Sequence, residues 1–171
     1  SAAKWISNLW GTALVEEKNR EIGFGGKFIW ARIFFIFGPG QRETSLIPYL
    51  LNCARKGEVP EIKNPSAKND FIYVEDVVEA ISMLLEKCRK SGEYDLGSGK
   101  LISNQEVINI IAKKLNIKNW YKDVNKLDNT YKSPSPVADI SRIKTEIGWE
   151  PKINIEEGIQ KMIDYYIPKA A

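Results

Sequence analysis

The sequence predicts an α/β fold with a parallel sheet, and three features of its patterning carry that prediction. Residues 27–37 form a dense run of Phe, Ile, Trp and Ala closed by Gly38, Pro39 and Gly40, which is how a strand buried on both faces reads. Short aromatic or apolar segments at Phe71–Tyr73 and residues 94–96 alternate with helical patterns at Leu46–Lys56 and residues 74–90, the mark of strand–helix–strand units. With 171 residues and 43% hydrophobic content, the chain has enough apolar material for a buried core.

Each element has its own local reason. Residues 1–22 place Trp5, Leu9, Ala13, Val15 and Ile22 at roughly helical spacing and stop at Gly23, so an amphipathic helix with a glycine C-cap is expected. The apolar strand 27–37 follows, and its Gly-Pro-Gly end reverses the chain, because proline fixes one dihedral and glycine permits a positive one. Leu46–Lys56 and residues 74–90 carry apolar residues at three- and four-residue steps, with the strand Phe71–Tyr73 leading into the second. Ser103 followed by Glu106 is a capping-box pattern, which starts a helix over residues 104–115. Residues 116–137 are polar and contain Pro134 and Pro136, predicting a short strand near Trp120 and then an exposed loop. Helices at residues 140–147 and Ile155–Tyr166 close the chain, separated by Gly148, Trp149 and Pro151.

Composition excludes several function classes. The net charge of +3 comes from 25 basic and 22 acidic residues scattered along the chain, whereas nucleic-acid binders gather theirs into a stripe. No apolar run reaches a membrane span and no signal-peptide pattern opens the chain, so a cytoplasmic protein is expected. The sequence has no histidine, which removes Ser/His/Asp and Cys/His hydrolase arrangements and leaves acid–base work to Tyr, Lys, Asp or Glu. Cys53 and Cys88 lack metal-ligand or redox spacing and read as buried thiols.

Four segments in order resemble the C-terminal half of the extended short-chain dehydrogenase/reductase family, the NAD(P)-dependent sugar-nucleotide epimerases and dehydratases. They are Arg-Ile-Phe-Phe-Ile-Phe-Gly-Pro-Gly at residues 32–40, Ser45-Leu46-Ile47-Pro48, the run Asn69-Asp70-Phe71-Ile72-Tyr73-Val74-Glu75-Asp76-Val77, and Tyr94-Asp95-Leu96-Gly97-Ser98-Gly99 with the later Ala138-Asp139 and Gly148-Trp149. The resemblance implies the C-terminal part of a Rossmann-like doubly wound fold plus a small α/β substrate-binding domain, with the N-terminal dinucleotide-binding half missing. On that basis residues 1–44 are a remnant of the Rossmann core and residues 45–171 are mainly substrate-binding. It further implies NAD or NADP as cofactor, a nucleoside-diphosphate sugar as substrate, a 4-keto sugar as intermediate, and a homodimer as the expected assembly. The isolated chain is then expected to be inactive.

The resemblance also assigns residues. Ser1-Ala2-Ala3-Lys4 resembles the end of the catalytic Tyr-x-x-x-Lys, which makes Lys4 the lysine that lowers the tyrosine pKa and touches the cofactor ribose; the bland alternative is a solvated lysine. Phe34 and Phe35 line the nicotinamide side, or are simply core residues of a strand. Ser45, Leu46, Asn69 and Lys132 face the nucleotide-sugar diphosphate. At Asn69 many family members carry arginine, and a neutral amide cannot make that bidentate charged contact. Arg32 is either a structural ion pair or a site residue, since a charge entering an apolar strand needs a partner. Arg142 is a second candidate diphosphate cation or a surface charge, and Asp76 is read as a helix-capping acid. The rival to an enzyme is a non-catalytic relative that binds a nucleotide sugar or a protein partner.

Overall fold

The structure, a computed structural model, describes residues 2–120 and 135–167. In chain order these form α1 (Ala2–Ile22), β1 (Ile29–Ile33), β2 (Phe35–Phe37), α2 (Leu46–Lys56), β3 (Lys68–Asn69), β4 (Phe71–Tyr73), α3 (Val74–Lys87), β5 (Gly92–Leu96), β6 (Ile102–Ser103), α4 (Asn104–Lys114), α5 (Ser141–Ile147) and α6 (Ile155–Tyr166). β1 pairs with β5 and β2 with β4, both in parallel, while β3 and β6 make a two-residue antiparallel pair.

The single strand expected over residues 27–37 is two strands with different partners. Phe34 N donates to Leu96 O at 3.0 Å, and the next amide, Phe35 N, donates to Asp70 O at 2.9 Å. The chain therefore leaves β5 and joins β4 between adjacent residues. Burial on both faces is also corrected: Phe37 is 2% exposed, but Phe35 is 46% and Ile33 45% exposed. An apolar run does not distinguish a central strand from an edge strand packed on one side, because both supply the same residue types.

Two cores flank β4, whose side chains alternate between them as strand periodicity requires. Phe71 and Tyr73 join Phe37, Leu50, Leu51, Ile108, Ile111 and Met162 between α2, α4 and α6. Ile72 turns the other way, to Val77, Leu84, Leu96, Ile143 and Trp149 around α3 and α5. Capping agrees with the sequence reading: Ser103 Oγ accepts from Glu106 N at 3.1 Å while Ser103 N donates to Glu106 Oε2 at 2.7 Å. α2 ends at Gly57 with φ of 70°, a left-handed cap. Asp76, expected to cap α3, instead accepts from Lys152 N at 3.1 Å and Ile153 N at 3.0 Å, fixing the approach to α6. Trp120 lies in irregular chain, not a strand; its ring is buried and Nε1 donates to Glu58 O at 2.8 Å. Both cysteines are free and buried.

Helix α1 forms over the expected residues but without the expected amphipathic face: its apolar side chains are spread around the helix and none of its side chains is buried. Trp5 is 64% and Trp10 77% exposed. It is tied down by the Asn19 side chain, which donates to Gly26 O and accepts from Gly26 N, each at 3.0 Å. Gly11 lies against the Phe28 ring, where an added Cβ would approach to 2.2 Å.

Candidate functional site

Because β1 and β5 are parallel, their carboxyl ends lie side by side, and there the chain changes partner at Phe34. In open parallel sheets, ligands settle outside the carboxyl ends of the strands where connections diverge. A cleft of about 360 Å³ occupies that place, lined by the apolar Ile33, Phe34, Phe35 and Pro136 and the polar Arg32, Asn69 and Asp70.

The polar members are held by two carboxylates. Asp70 is 2% exposed; its Oδ1 accepts from Ser98 N and Ser98 Oγ, both at 2.6 Å, and its Oδ2 from Gly99 N at 3.0 Å and Ala138 N at 2.9 Å. Four donors offset the cost of burying the charge. Asp95 takes Arg32 Nε on one oxygen at 2.6 Å and Asp139 N on the other at 3.1 Å. Consecutive amides of residues 138 and 139 are thus gripped by Asp70, just before β4, and by Asp95 of β5, which seats Pro136 against the cleft. Gly97 makes the approach possible, since a Cβ there would come within 2.4 Å of the Ala138 Cβ.

Arg32 resolves into a structural ion pair. Besides Asp95, its Nη1 meets Glu93 at 2.8 Å, and the hydrogen bond to Asp95 is the main reason the guanidinium pKa rises further above its ordinary value. Arg32 and Ile33 also border a second groove of about 590 Å³ between α1 and β1, which contains Lys4, Trp5, Asn8 and Trp30. The cleft and the groove therefore share Arg32 and Ile33 as a common wall.

The predicted residues divide accordingly. Phe34, Phe35 and Asn69 meet in the cleft, and Lys4 lines the adjoining groove. Asn69 Nδ2 also makes a long hydrogen bond to Asn104 Oδ1 at 3.5 Å. Ser45 stands at the N-cap position of α2 without a side-chain cap bond, and Leu46 packs on the first core; neither lines the cleft. Lys132 lies outside the described residues. Arg142 is drawn elsewhere, reaching Glu93 O at 3.1 Å, Ser91 O at 3.3 Å and Glu146 at 3.2 Å, with its guanidinium carbon 4.5 Å from the Tyr94 ring centroid. Burial and then hydrogen bonding push the Tyr94 hydroxyl pKa up. Sequence reasoning missed the anchoring role of Asp70. Its signal was an acid entering an apolar strand, but its donors lie 28, 29 and 68 residues further along the chain. Among the described residues no cluster could hold a metal ion, and no helix is long and apolar enough to cross a membrane.

A parallel α/β sheet with a cleft at its carboxyl ends defines the class of α/β proteins whose ligands sit at a topological switch point. Comparison with known proteins narrows this. The sequence profile of the GDP-mannose 4,6-dehydratase family matches residues 12–162, and the chain belongs to that family, whose members include sugar-nucleotide dehydratases, epimerases and reductases. It is 32% identical over 142 residues to the dTDP-4-dehydro-6-deoxyglucose reductase of Escherichia coli, covering 81% of this chain and 44% of that protein. Among solved structures, dTDP-glucose 4,6-dehydratase of Bacillus anthracis in complex with NAD superposes with a TM-score of 0.69 at 26% identity, over 82% of this chain and 44% of that one. RMD from Pseudomonas aeruginosa complexed with NADPH shares the fold with a TM-score of 0.76 at 21% identity, over 96% and 56%. The chain spans about half the length of these relatives or less.

Proposed function

We propose that this chain is the nucleotide-sugar-facing part of an NAD(P)-dependent epimerase, dehydratase or reductase that works through a 4-keto sugar. The observation that carries the proposal is the cleft at the partner switch of β1 and β2, where Phe34 and Phe35 meet Asn69 and Asp70 in a family of sugar-nucleotide enzymes. Its apolar side fits a flat nicotinamide ring. The described residues offer no glycine-rich turn between a strand and a helix to hold a dinucleotide pyrophosphate, so the greater part of that grip is assigned to residues beyond this chain. When bound, the cofactor supplies a hydride acceptor or donor for the sugar C4. In this scheme residues 1–44 belong with the cofactor half and residues 45–171 mainly with the substrate. Lys4 holds the ribose and tunes the catalytic tyrosine, Phe34 and Phe35 wall the nicotinamide, and Asn69 and Lys132 face the nucleotide diphosphate; Ser45 and Leu46, which start α2 outside the cleft, are left out of that role.

The cytoplasm is its proposed compartment, where reducing conditions keep thiols such as Cys53 and Cys88 free. A second reading, a non-catalytic partner-binding relative, is favoured by one observation, the uncovered apolar side chains of α1. Titration calorimetry with UDP-glucose and dTDP-glucose, run beside a turnover assay with NAD and NADPH, tests the proposal. Weak nucleotide-sugar binding without turnover is expected. Turnover by the 171 residues alone would sink the claim of incompleteness, and no binding of either sugar nucleotide would sink the substrate-facing role.

A further inference from the structure

We propose that Glu93 is a positioning residue for Lys4, acting through Asn8 of helix α1. The inference rests on the reading that Lys4 holds the cofactor ribose and tunes the catalytic tyrosine, and it adds what keeps Lys4 in place. Lys4 and Asn8 stand one turn apart on α1, a spacing that sets both side chains on one face of a helix, and both line the groove against β1 together with Glu93. There Asn8 Nδ2 donates to Glu93 Oε1. The other carboxylate oxygen, Glu93 Oε2, accepts from Arg32 Nη1 at 2.8 Å.

Glu93 is itself held. In the parallel register Trp30 faces Glu93 and Arg32 faces Asp95, and alternation along a strand puts Glu93 and Asp95 on one side of β5. Arg32 spans the two, since its Nε donates to Asp95 Oδ1 at 2.6 Å. Asp95 is buried and also accepts from Asp139 N at 3.1 Å. A line of hydrogen bonds therefore runs from the clip beside the cleft, through Arg32 and Glu93, to the helix that carries Lys4.

The first turns of α1 need such a tie. No side chain of the helix is buried, so close packing does not set its place on the sheet. The hydroxyls of Ser7 and Thr12 return to carbonyls of the same helix, Ala3 O and Asn8 O. The contacts of Gly11 with the Phe28 ring and of Asn19 with Gly26 lie further along the helix. Among the described residues, the bond from Asn8 to Glu93 is the side-chain hydrogen bond nearest Lys4 that leaves α1. Arg32 and Glu93 are about half exposed, so the link contributes little to global stability. Its weight falls on geometry, because displacing a catalytic group by about 1 Å can cost about a hundredfold in rate.

Asn8→Ala, Glu93→Ala and the double variant test the inference in two proteins. In the 171 residues, the amide at position 8, which closes its helical turn onto Lys4, should exchange about fivefold faster in each variant while the melting temperature hardly moves. Alanine favours a helix over asparagine, so propensity alone would slow that exchange. In the full product of the gene, turnover in the direction that oxidises the sugar C4 should fall about tenfold near pH 7. Its rise with pH should also move to higher pH, because a displaced ammonium no longer lowers the tyrosine pKa. The double variant should do no more than either single one, since all three break one link. Lys4→Met is the reference and should abolish turnover. Unchanged exchange at position 8 overturns the inference, and so does faster exchange with an unmoved pH profile or single effects that add. A Lys4→Met protein that turns over like its parent, or a gene that encodes no such tyrosine, refutes the reading of Lys4 itself and takes the inference with it.

Discussion

The core between α2, α4 and α6 and the flank formed by α1 and β1 use the same kinds of residue and differ in what meets them. Ile108, Ile111 and Met162 are each 0% exposed, whereas Trp5, Trp10 and Leu14 of α1 range from 57% to 77%. The helices of the first core gather their apolar side chains on one face, whereas α1 spreads Ile6, Leu9, Trp10 and Leu14 around its circumference. The first core also draws a second surface from its own chain, which the flank lacks among the described residues. An amphipathic face therefore marks what a chain's own elements cover, and apolar content without such a face does not.

Substitution can break this comparison. Ile108→Ala in the first core should cost about 3–4 kcal/mol through lost burial and a residual cavity, while Trp10→Ala on α1 should change stability by less than about 0.5 kcal/mol. Chemical denaturation of both variants of the 171 residues checks the contrast. A large loss from Trp10→Ala would mean that α1 is covered after all.

The seam between the two regions should respond next. Asp70→Ala strands the amides of Ser98, Gly99 and Ala138 beside a buried strand end, for an expected loss of about 3 kcal/mol. Because the same carboxylate seats the segment that carries Pro136 against the cleft, UDP-glucose affinity should fall as well, and unchanged affinity in the folded variant would separate the anchor from the site. Arg32→Ala removes the cation facing Asp95, which is 8% exposed. Since Arg32 itself is half exposed, only about 1 kcal/mol is expected. Arg32→Lys should not restore it, because one ammonium cannot reach both Asp95 and Glu93 as the fork does.

Much of this was legible in the residues and some was not, for physical reasons. Helix α6 and strand β4 have the bounds their patterns predict, and the Ser103–Glu106 box formed as read, because the box and the helix rest largely on interactions within a few residues and β4 is a short apolar run bounded by polar residues. The break at Phe34 was invisible: it arises from competition between two partner strands about 36 and 62 residues away, and Ile-Phe on one side of it reads the same as Phe-Ile on the other. The pairs β3 and β6 were missed because two-residue strands carry no period. In the candidate site, Phe34, Phe35 and Asn69 came from a motif, while the clip made by Asp70 and Asp95 depends on amides that any residue supplies and that leave no trace in side-chain identity.

The smallest effect sharpens the comparison from the well-covered side. Ser103→Ala removes the acceptor for Glu106 N at the start of α4 and should cost about 1 kcal/mol. Glu106 adds a pH-dependent part. The Ser103 hydroxyl, donating at 2.6 Å, and then the Ser103 amide hold the Glu106 carboxyl below its ordinary value of 4.5. A depressed folded-state pKa means that the unfolded chain binds the proton first, so the stabilisation is complete above the ordinary value and is lost as pH falls through the lower one. Melting temperatures of the parent and Glu106→Gln chains, followed from about pH 7 to about pH 3, should differ at the upper end and converge at the lower. A gap that stays constant with pH would show that the glutamate caps α4 by shape alone, and that its charge contributes nothing to the better-covered half of the molecule.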